Sequence, residues 1–302
     1  MLAIIAPGQG SQTPGMLNAW LEDPAIRTMA QEFSDAIGLD LIRLGTTADA
    51  DEIRDTAHAQ PLIVATGLIS AQALGLNGTY SYVAGHSVGE ITAAAIAGVM
   101  TPIDAMKLVR TRGVEMARAA SMTPSGMAAV LGGDRQVVLN AISDLGLIAA
   151  NDNGGGQIVA AGDLDALAQL APVGARVRPL AVAGAFHTSY MQSAVQPLHK
   201  LAATITTTNS NAGVLSNKDG AVVKDGREIL DRIVSQISNP VRWDLCMDAL
   251  VSLGVTGVIE LAPAGTLVGL IKRAAPSIEQ FALKSPADVD AARTFIANHG
   301  GK

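Results

Sequence analysis

The sequence predicts an α/β fold in which a large domain with a mainly parallel sheet carries a smaller inserted domain. Over residues 1–121, short apolar strands alternate with helical segments, which is the pattern of a parallel sheet. Hydrophobic residues make up 49% of the 302-residue chain and aromatic residues only 3%, which favours close packing of aliphatic side chains over a β-sandwich. The order of elements changes at residue 122 and changes back at residue 184. We therefore assign residues 1–121 and 184–302 to the large domain and residues 122–183 to the small one.

The first part of the chain contains the opening elements of the large domain. A buried strand runs directly into a glycine-rich loop at residues 7–15. The helix that follows Thr101 begins with a proline, whose fixed φ suits a first helical turn. The strands are predicted at residues 2–6 and 80–84, and the helices at residues 23–37, 60–74, 90–100 and 102–120.

The middle of the chain has a different order of elements. Strands are predicted at residues 126–131, 147–150, 157–161 and 176–182, and helices at residues 134–145 and 164–170. This β-α-β-β-α-β sequence is the ferredoxin-like order. The chain then returns to the large domain with a turn at Asp219-Gly220 between short strands, a helix at residues 229–237 and a buried strand at residues 255–260.

Charge and composition exclude several classes of function. The net charge of −6 makes nucleic acid an improbable partner, and so few aromatic residues cannot build a platform for stacked bases. Cys246 is the single cysteine, which excludes an intramolecular disulfide and a cysteine-based metal cluster. It lies in an apolar, helix-like run and is predicted to be a buried thiol. We expect no metal and no cofactor.

No part of the sequence suggests a membrane or secretory protein. The apolar run at residues 1–6 stops at Pro7, so it is too short for a signal peptide, and it lacks a basic start. No uninterrupted apolar run approaches the ~18 residues that a spanning helix needs. We expect a cytoplasmic protein that does not associate with membranes.

Residues 85–89 read G-H-S-V-G, which has the G-x-S-x-G form of a nucleophile elbow. A predicted strand precedes this motif and a predicted helix follows it, so Ser87 would lie at a sharp turn with its hydroxyl exposed. Glycines at 85 and 89 are needed because side chains there would collide across the turn. The start of the following helix offers free N–H groups that suit an oxyanion. We predict that Ser87 is a catalytic nucleophile; the alternative is an ordinary glycine-rich turn.

A serine nucleophile needs a base, and the chain has five histidines. His299 lies in a glycine-flanked tail, and His58 and His199 lie in predicted surface helices. His86 is inside the elbow, where it could shape the turn but could hardly reach the neighbouring hydroxyl. His187 follows an apolar strand, and catalytic groups commonly lie at such strand ends, so it is the candidate base. The alternative is a structural histidine.

The acid of a Ser-Asp-His triad is missing from its usual place. In α/β-hydrolases the acid lies between the serine and the histidine in the chain. Asp152 and Asp163 lie in that interval, but both fall within the predicted small domain. Neither is an obvious partner for the base, which weakens the interpretation as a plain esterase.

Ordered motifs along nearly the whole chain resemble those of malonyl-CoA:acyl carrier protein transacylases, the stand-alone acyltransferases of bacterial fatty-acid synthesis. They are PGQGSQ at 7–12, QP at 60–61, GHSVGE at 85–90, RG at 112–113 with Met116, GAFH at 184–187, and NPV at 239–241 with Trp243. The resemblance implies an α/β-hydrolase-like large domain with an inserted ferredoxin-like domain, which is the layout predicted above.

The resemblance also implies a set of catalytic residues. Ser87 would be the nucleophile and His187 its base. The main-chain carbonyl of Gln236 would orient the base, which explains the missing acid, because a carbonyl can accept the imidazole N–H. The main-chain N–H groups of Gln9 and Val88 would form the oxyanion hole.

Substrate-binding residues follow from the same resemblance. Arg112 would hold the free carboxylate of a malonyl group, since a guanidinium can bind a carboxylate through two parallel hydrogen bonds; without the resemblance it would be an ordinary helix arginine. Met116 and Phe186 would wall the pocket, and Phe186 favours malonyl over methylmalonyl groups. Asn151 and Gln157 would lie on a loop facing the elbow. His86 is included among the substrate-binding candidates.

The implied activity is malonyl transfer from malonyl-CoA to the pantetheine thiol of an acyl carrier protein through a malonyl-serine. Coenzyme A thioesters and the carrier would be the partners, and the enzyme would be a monomer. We expect one of two basic pairs, Lys272 with Arg273 or Lys107 with Arg110, to dock an acidic carrier. The alternatives are a serine esterase or thioesterase, an acyltransferase of another malonyl pathway, and a non-catalytic protein of the same fold.

Overall fold

The computed structural model describes residues 1–76 and 78–300, which form two β-sheets surrounded by helices. The strands are β1 Leu2–Ala6, β2 Tyr82–Gly85, β3 Gly126–Gly132, β4 Ile148–Asp152, β5 Gln157–Gly162, β6 Ala175–Pro179, β7 Gly213–Leu215, β8 Val222–Val223, β9 Val241–Arg242, β10 Gly257–Glu260 and β11 Glu279–Ala282. The helices are α1 Pro24–Ile37, α2 Leu41–Thr46, α3 Thr56–Leu74, α4 Gly89–Ile96, α5 Pro102–Met122, α6 Arg135–Asp144, α7 Leu164–Gln169, α8 Gln192–Ala202, α9 Gly226–Ser235, α10 Trp243–Ser252, α11 Thr266–Ala274 and α12 Val289–His299.

The first sheet has six strands in the order β11-β10-β1-β2-β7-β8. The strands from β11 to β7 are parallel, and β8 pairs with β7 in the antiparallel sense. Every residue of β1 is buried, as expected for a central strand that helices cover on both faces. The carboxyl ends of β1 and β2 lie side by side, because Ala6 pairs with Gly85. This edge is where the glycine-rich loop and the G-H-S-V-G turn meet.

The second sheet has five strands in the order β6-β3-β5-β4-β9. Its first four strands, with α6 and α7 between them, have the predicted β-α-β-β-α-β order, and their neighbouring pairs are antiparallel. The fifth strand, β9, comes from a later part of the chain and lies parallel to β4. The sequence analysis did not anticipate this strand. The domain limits at residues 122 and 184 remain a prediction.

Most predicted elements are present, and their ends differ for local reasons. The helix predicted to reach residue 100 ends at Ile96, because Gly98 has a φ of 78° and terminates it. The strand predicted to reach residue 182 ends at Pro179, and one further ladder bond follows it, from the Leu180 N–H to the Met127 carbonyl. Cys246 is buried in α10, as predicted.

None of the helices within residues 1–76 and 78–300 is long and apolar enough to cross a membrane. Over the same residues, no group of three or more histidine, cysteine, aspartate or glutamate side chains is placed to hold a metal ion.

Candidate active site

Ser87 lies at a sharp turn between β2 and α4, with a φ of 52°. The flanking glycines are required by close backbone contacts. A Cβ on Gly85 would lie 1.9 Å from the carbonyl carbon of Gly89, and one on Gly89 would lie 2.2 Å from the carbonyl oxygen of Ala6. The turn therefore has the geometry of a nucleophile elbow, with a serine in a backbone conformation that non-glycine residues rarely adopt.

His187 lies against the serine hydroxyl. Its Nε2 is 2.8 Å from Ser87 Oγ, and its Nδ1 is 2.8 Å from the main-chain carbonyl oxygen of Gln236. A carbonyl oxygen can only accept, so Nδ1 carries the proton and the Nε2 lone pair faces the hydroxyl. Among the described non-glycine residues, only His187 and Ser87 have positive φ, and the φ of His187 is 62°.

The imidazole of His187 is held in its neutral form. Its side chain is buried, and burial together with the nearby positive charge of Arg112 lowers the pKa of His187 to about 3. A neutral imidazole is the form that can accept a proton from a hydroxyl. The pair has the geometry of a nucleophile and its general base.

The other histidines have different environments. His86 Nε2 is 2.8 Å from Asn153 Oδ1, and the His86 ring packs edge-on against Trp243. Burial lowers the pKa of His86. His58 contacts a main-chain carbonyl in the turn before α3. His199 is exposed on α8, and His299 lies at the end of α12.

Arg112 is fully buried in the middle of α5, with its guanidinium directed at the serine. Nη1 donates to Gln60 Oε1 at 2.7 Å, and Nη2 donates to Gln236 Oε1 at 2.8 Å and to Ser87 Oγ at 3.2 Å. Within the described residues, Nε has no hydrogen-bond partner and no carboxylate touches the guanidinium. Burial lowers the pKa of Arg112 to about 10, so it stays charged at neutral pH. The site therefore has a buried cation with no anion in contact.

A cavity of about 280 Å³ lies above these groups, between the elbow and the second sheet. Most of the predicted site residues line it: Gln9, His86, Ser87, Met116, Asn151, Gln157, Phe186 and His187. The positions of Asn151 and Gln157 correct the sequence analysis. Asn151 lies within β4, which extends two residues further than predicted, and Gln157 is the first residue of β5, where that strand was predicted to begin.

The glycine-rich loop approaches the elbow closely. A Cβ on Gly8 would lie 2.7 Å from the carbonyl oxygen of His86. The main-chain N–H groups of Gln9 and Val88 have no acceptor among the described residues. The Gln9 side chain contacts Thr56 and Gln60, which fixes the loop against α3. Two unpaired N–H groups near the serine are the donors that an oxyanion needs.

Several polar side chains at the site were not predicted. Asn217, which follows β7, accepts from the Ser87 N–H at 2.8 Å and donates to the Gly85 carbonyl at 2.8 Å. Glu90, in the first turn of α4, is buried and accepts from the main-chain N–H of Asn217. The Gln236 side chain is also buried and bonds to Arg112, Glu90 and Asn217. Glu90 belonged to a quoted motif, but Asn217 carried no sequence signal.

A larger cavity of about 420 Å³ does not contain this chemistry. It lies between the second sheet and α10, beside an ion pair of Arg135 with Asp152. Ser87, His187 and Arg112 are not among its lining residues. We therefore place the candidate active site in the smaller cavity.

A family model described as "Acyl transferase domain" matches residues 4–294. The chain belongs to this acyl transferase family. The malonyl CoA-acyl carrier protein transacylase of Mycobacterium tuberculosis H37Rv is 52% identical over 297 residues, with 96% of this chain and 98% of the relative covered. The enzyme of the same name from Bacillus subtilis is 31% identical, with 96% of each chain covered.

Solved structures of acyl transferases have the same fold as this chain. The crystal structure of the transacylase from Mycobacterium tuberculosis has a TM-score of 0.94 at 50% identity and covers 97% of this chain and 99% of its own. A malonyl-transacylase in complex with a type II polyketide synthase acyl-carrier protein has a TM-score of 0.90 at 29% identity, with 97% and 99% covered. The predicted fold class and family are confirmed.

Proposed function

We propose that the protein transfers the malonyl group from malonyl-CoA to the pantetheine thiol of a holo-acyl carrier protein through a malonyl ester of Ser87. One observation carries the proposal: Ser87 Oγ lies 2.8 Å from His187 Nε2 and 3.2 Å from Arg112 Nη2. A nucleophile, its base and a buried cation therefore meet at one oxygen atom. Hydrolysis of a simple ester gives the cation no role, whereas a carboxylated acyl group gives it a partner.

In the first half-reaction, Ser87 Oγ attacks the thioester carbonyl of malonyl-CoA while His187 Nε2 takes the hydroxyl proton. The Gln236 carbonyl oxygen stabilises the imidazolium by accepting a hydrogen bond from its Nδ1–H. The oxyanion of the tetrahedral intermediate lies against the N–H groups of Gln9 and Val88. The C–S bond then breaks, coenzyme A leaves with the proton from His187, and the malonyl group remains on the serine.

The second half-reaction reverses these steps with a different thiol. The pantetheine thiol of the carrier gives its proton to His187 and attacks the ester carbonyl. The bond between the carbonyl carbon and Ser87 Oγ breaks, and His187 returns the proton to the serine. One base serves both halves because each half moves one proton between a serine and a thiol.

Arg112 selects the acyl group in this proposal. The malonyl carboxylate supplies an anion in direct contact with the guanidinium, and an acetyl group would leave the buried charge without one in contact. Phe186 and Met116 line or border the pocket and favour an unbranched acyl group. One added methyl group costs only about 1–3 kcal/mol in such a pocket, so discrimination against methylmalonyl is the weaker of the two.

The carrier is proposed to dock on locally basic surface. Lys272 and Arg273 are exposed at the last turn of α11, whose first turn borders the cavity. Lys107 is exposed on α5, but Arg110 is half-buried and donates to the Ala57 carbonyl, so the second pair offers less free charge. Charge reversal of Lys272 and Arg273 should raise KM for the carrier and leave serine malonylation intact. An unchanged KM at low salt would place docking elsewhere.

Mass spectrometry of the intact protein tests the proposed function. The protein is mixed separately with malonyl-CoA, acetyl-CoA and methylmalonyl-CoA, and the labelled peptide is then sequenced. We expect one malonyl group on Ser87 and its transfer to added holo-carrier faster than its hydrolysis. Hydrolysis without transfer would favour the esterase alternative, and an unlabelled protein would favour a non-catalytic role.

The pathway that the enzyme serves is a finer part of the same proposal. Supply of malonyl-carrier for fatty-acid elongation is the favoured role, with a polyketide or other malonyl pathway as the alternative. Transfer assays with carriers from each kind of pathway decide between them. The monomeric state and the cytoplasmic location remain predictions from the sequence. The absence of a nucleic-acid partner and the absence of a cofactor also remain predictions.

A further inference from the structure

Glu90 is a buried carboxylate that the proposed mechanism does not use. It is 3% exposed, and both of its oxygens accept hydrogen bonds. The main-chain N–H of Asn217 donates to Oε1 at 2.6 Å, and Gln236 Nε2 donates to Oε2 at 2.5 Å. A carboxyl group whose two oxygens both accept is arranged for its ionised form.

The Gln236 amide connects Glu90 to Arg112. Its nitrogen faces Glu90, and its oxygen accepts from Arg112 Nη2 at 2.8 Å. The amide nitrogen also faces the carbonyl of Ser87 and Oδ1 of Asn217, so three acceptors fix its orientation. Glu90 is therefore joined to the guanidinium through one oriented dipole.

A buried guanidinium without an opposing charge is costly, and Glu90 is the carboxylate placed to offset it. We propose that Glu90, in its ionised form, is the resident counter-ion of Arg112 and that this form takes up a proton when the carboxylate of an acyl group binds Arg112. This inference rests on the proposed function in one respect, the binding of a carboxylated acyl group. Glu90 does not touch the acyl site, so it is a positioning residue.

The electrostatics of Glu90 support proton uptake. Burial raises the pKa of Glu90 to about 8, while its hydrogen bond from Asn217 and the charge of Arg112 oppose the rise. An acyl carboxylate on Arg112 would cancel the charge that favours ionised Glu90. The pKa of Glu90 would then rise further, and the group would bind a proton at a pH near 8.

Arg232 and Cys246, the titratable groups that interact with Glu90 from neighbouring helices, keep their protonation states near this pH. Arg232 on α9 is paired with Asp219 and Glu228, which raise its pKa, so it stays charged. Burial raises the pKa of the Cys246 thiol on α10 far above this range. Asp244 on α10 is paired with Arg242.

The two histidines of the site also keep their state. The pKa values of His86 and His187 are both lowered, so both rings stay neutral. A small cavity of about 10 Å³ is lined by Glu90 and Arg232, and the Arg232 side chain is partly exposed.

Isothermal titration calorimetry tests the proposal in the Ser87→Ala background, where no acyl transfer consumes the thioester. Malonyl-CoA and acetyl-CoA are each titrated in buffers of different ionisation enthalpy, which gives the number of protons taken up on binding. The coenzyme A portion is common to both ligands and cancels in the difference. We expect malonyl-CoA to take up a larger fraction of a proton near pH 8. The excess should shrink at pH 6, where Glu90 is already protonated.

Two variants in the same background assign the proton. Glu90→Gln and Arg112→Ala should each remove the excess, and thermal unfolding shows whether each variant is folded. An excess that persists in folded Glu90→Gln overturns the proposal. Equal proton uptake on binding of the two thioesters to Ser87→Ala across the pH series would also overturn the proposal. This second test does not depend on whether a variant at Glu90 folds. Failure of malonyl-CoA to acylate the wild-type serine would instead overturn the proposed function.

Discussion

The two sides of the pocket are built in different ways. On the reacting side, Ser87 and His187 both occupy left-handed backbone, at φ values of 52° and 62°, in short segments outside helices and strands. On the charge-binding side, Arg112 lies in the regular backbone of α5. The position of its guanidinium is fixed by the buried side chains of Gln60 and Gln236, and Gln236 is in turn held by Glu90.

The difference shows how reactivity and selectivity depend on separate features. The reacting atoms are placed by backbone geometry and by main-chain partners, such as the Gln236 carbonyl that holds His187. The guanidinium is placed by side-chain amides that a single substitution can remove. Changes on the reacting side should therefore abolish all transfer, whereas changes on the charge-binding side should alter which acyl group is transferred.

The largest effect is expected from removing the reacting groups. Ser87→Ala should abolish acylation, and His187→Ala should slow it by about 10³-fold or more, because His187 is the one base that contacts the hydroxyl among the described residues. Stopped-flow or quenched measurement of protein malonylation checks both. Equal losses for malonyl-CoA and acetyl-CoA are expected, and a loss confined to one thioester would contradict the division between the two sides.

Arg112→Ala should have the next largest effect, and it should be selective. Loss of the charged hydrogen bonds to the acyl carboxylate should lower kcat/KM for malonyl-CoA by about 100-fold. Acetyl-CoA should gain in relative preference. Arg118→Ala is the matched control, since Arg118 lies on the same helix with a mainly exposed side chain. An unchanged ratio of malonyl to acetyl kcat/KM in Arg112→Ala would refute the clamp.

Gln236→Ala should have an intermediate effect. From the sequence, only the main-chain carbonyl of Gln236 was expected to act. That expectation implies a small loss of transfer activity, because alanine keeps the carbonyl. The structure shows a buried side chain bonded to Arg112 and Glu90, so that expectation is revised. We expect about a 10- to 100-fold loss in kcat/KM for malonyl-CoA and a smaller loss for acetyl-CoA. Ser235→Ala, one residue away and exposed, is the control.

The smallest effect concerns the acid side of the pH profile. An ordinary histidine base would lose activity as the pH falls through about 6.5, because its imidazole becomes protonated. The pKa of His187 is lowered to about 3, so the base stays neutral. We expect kcat/KM for acetyl-CoA to change less than about twofold between pH 5 and 7. A tenfold decline over this interval would show that His187 titrates normally.

The two sides also differ in how far the sequence predicted them. Ser87 followed from a local motif between a strand and a helix, and His187 from its place after an apolar strand, because both depend on backbone geometry that nearby residues encode. The role of Arg112 came from resemblance to a family, since Arg112 is one of four basic residues in its helix and nothing local distinguishes it from the other three. Most of the fold was predicted for the same reason as Ser87, from local alternation and turn residues.

The rest of the site depends on contacts between distant parts of the chain. Glu90 and Asn217 are 127 residues apart, and Gln236 lies 146 residues from Glu90. No periodicity or spacing in α4 shows that its one acidic residue meets an amide from the turn after α9. Strand β9 was missed for a similar reason, because two residues leave too short a pattern and its pairing is with β4, far earlier in the chain.

That short strand ties the opening of the pocket to the alignment of the base. Val241 pairs with Asn151 in the second sheet, and the Arg242 N–H donates to the Asn217 carbonyl, 2.7 Å away, beside the elbow. Only four residues separate Val241 from Gln236, whose carbonyl orients His187. The short strand therefore couples the position of the second sheet, which forms one wall of the pocket, to the carbonyl that orients the imidazole.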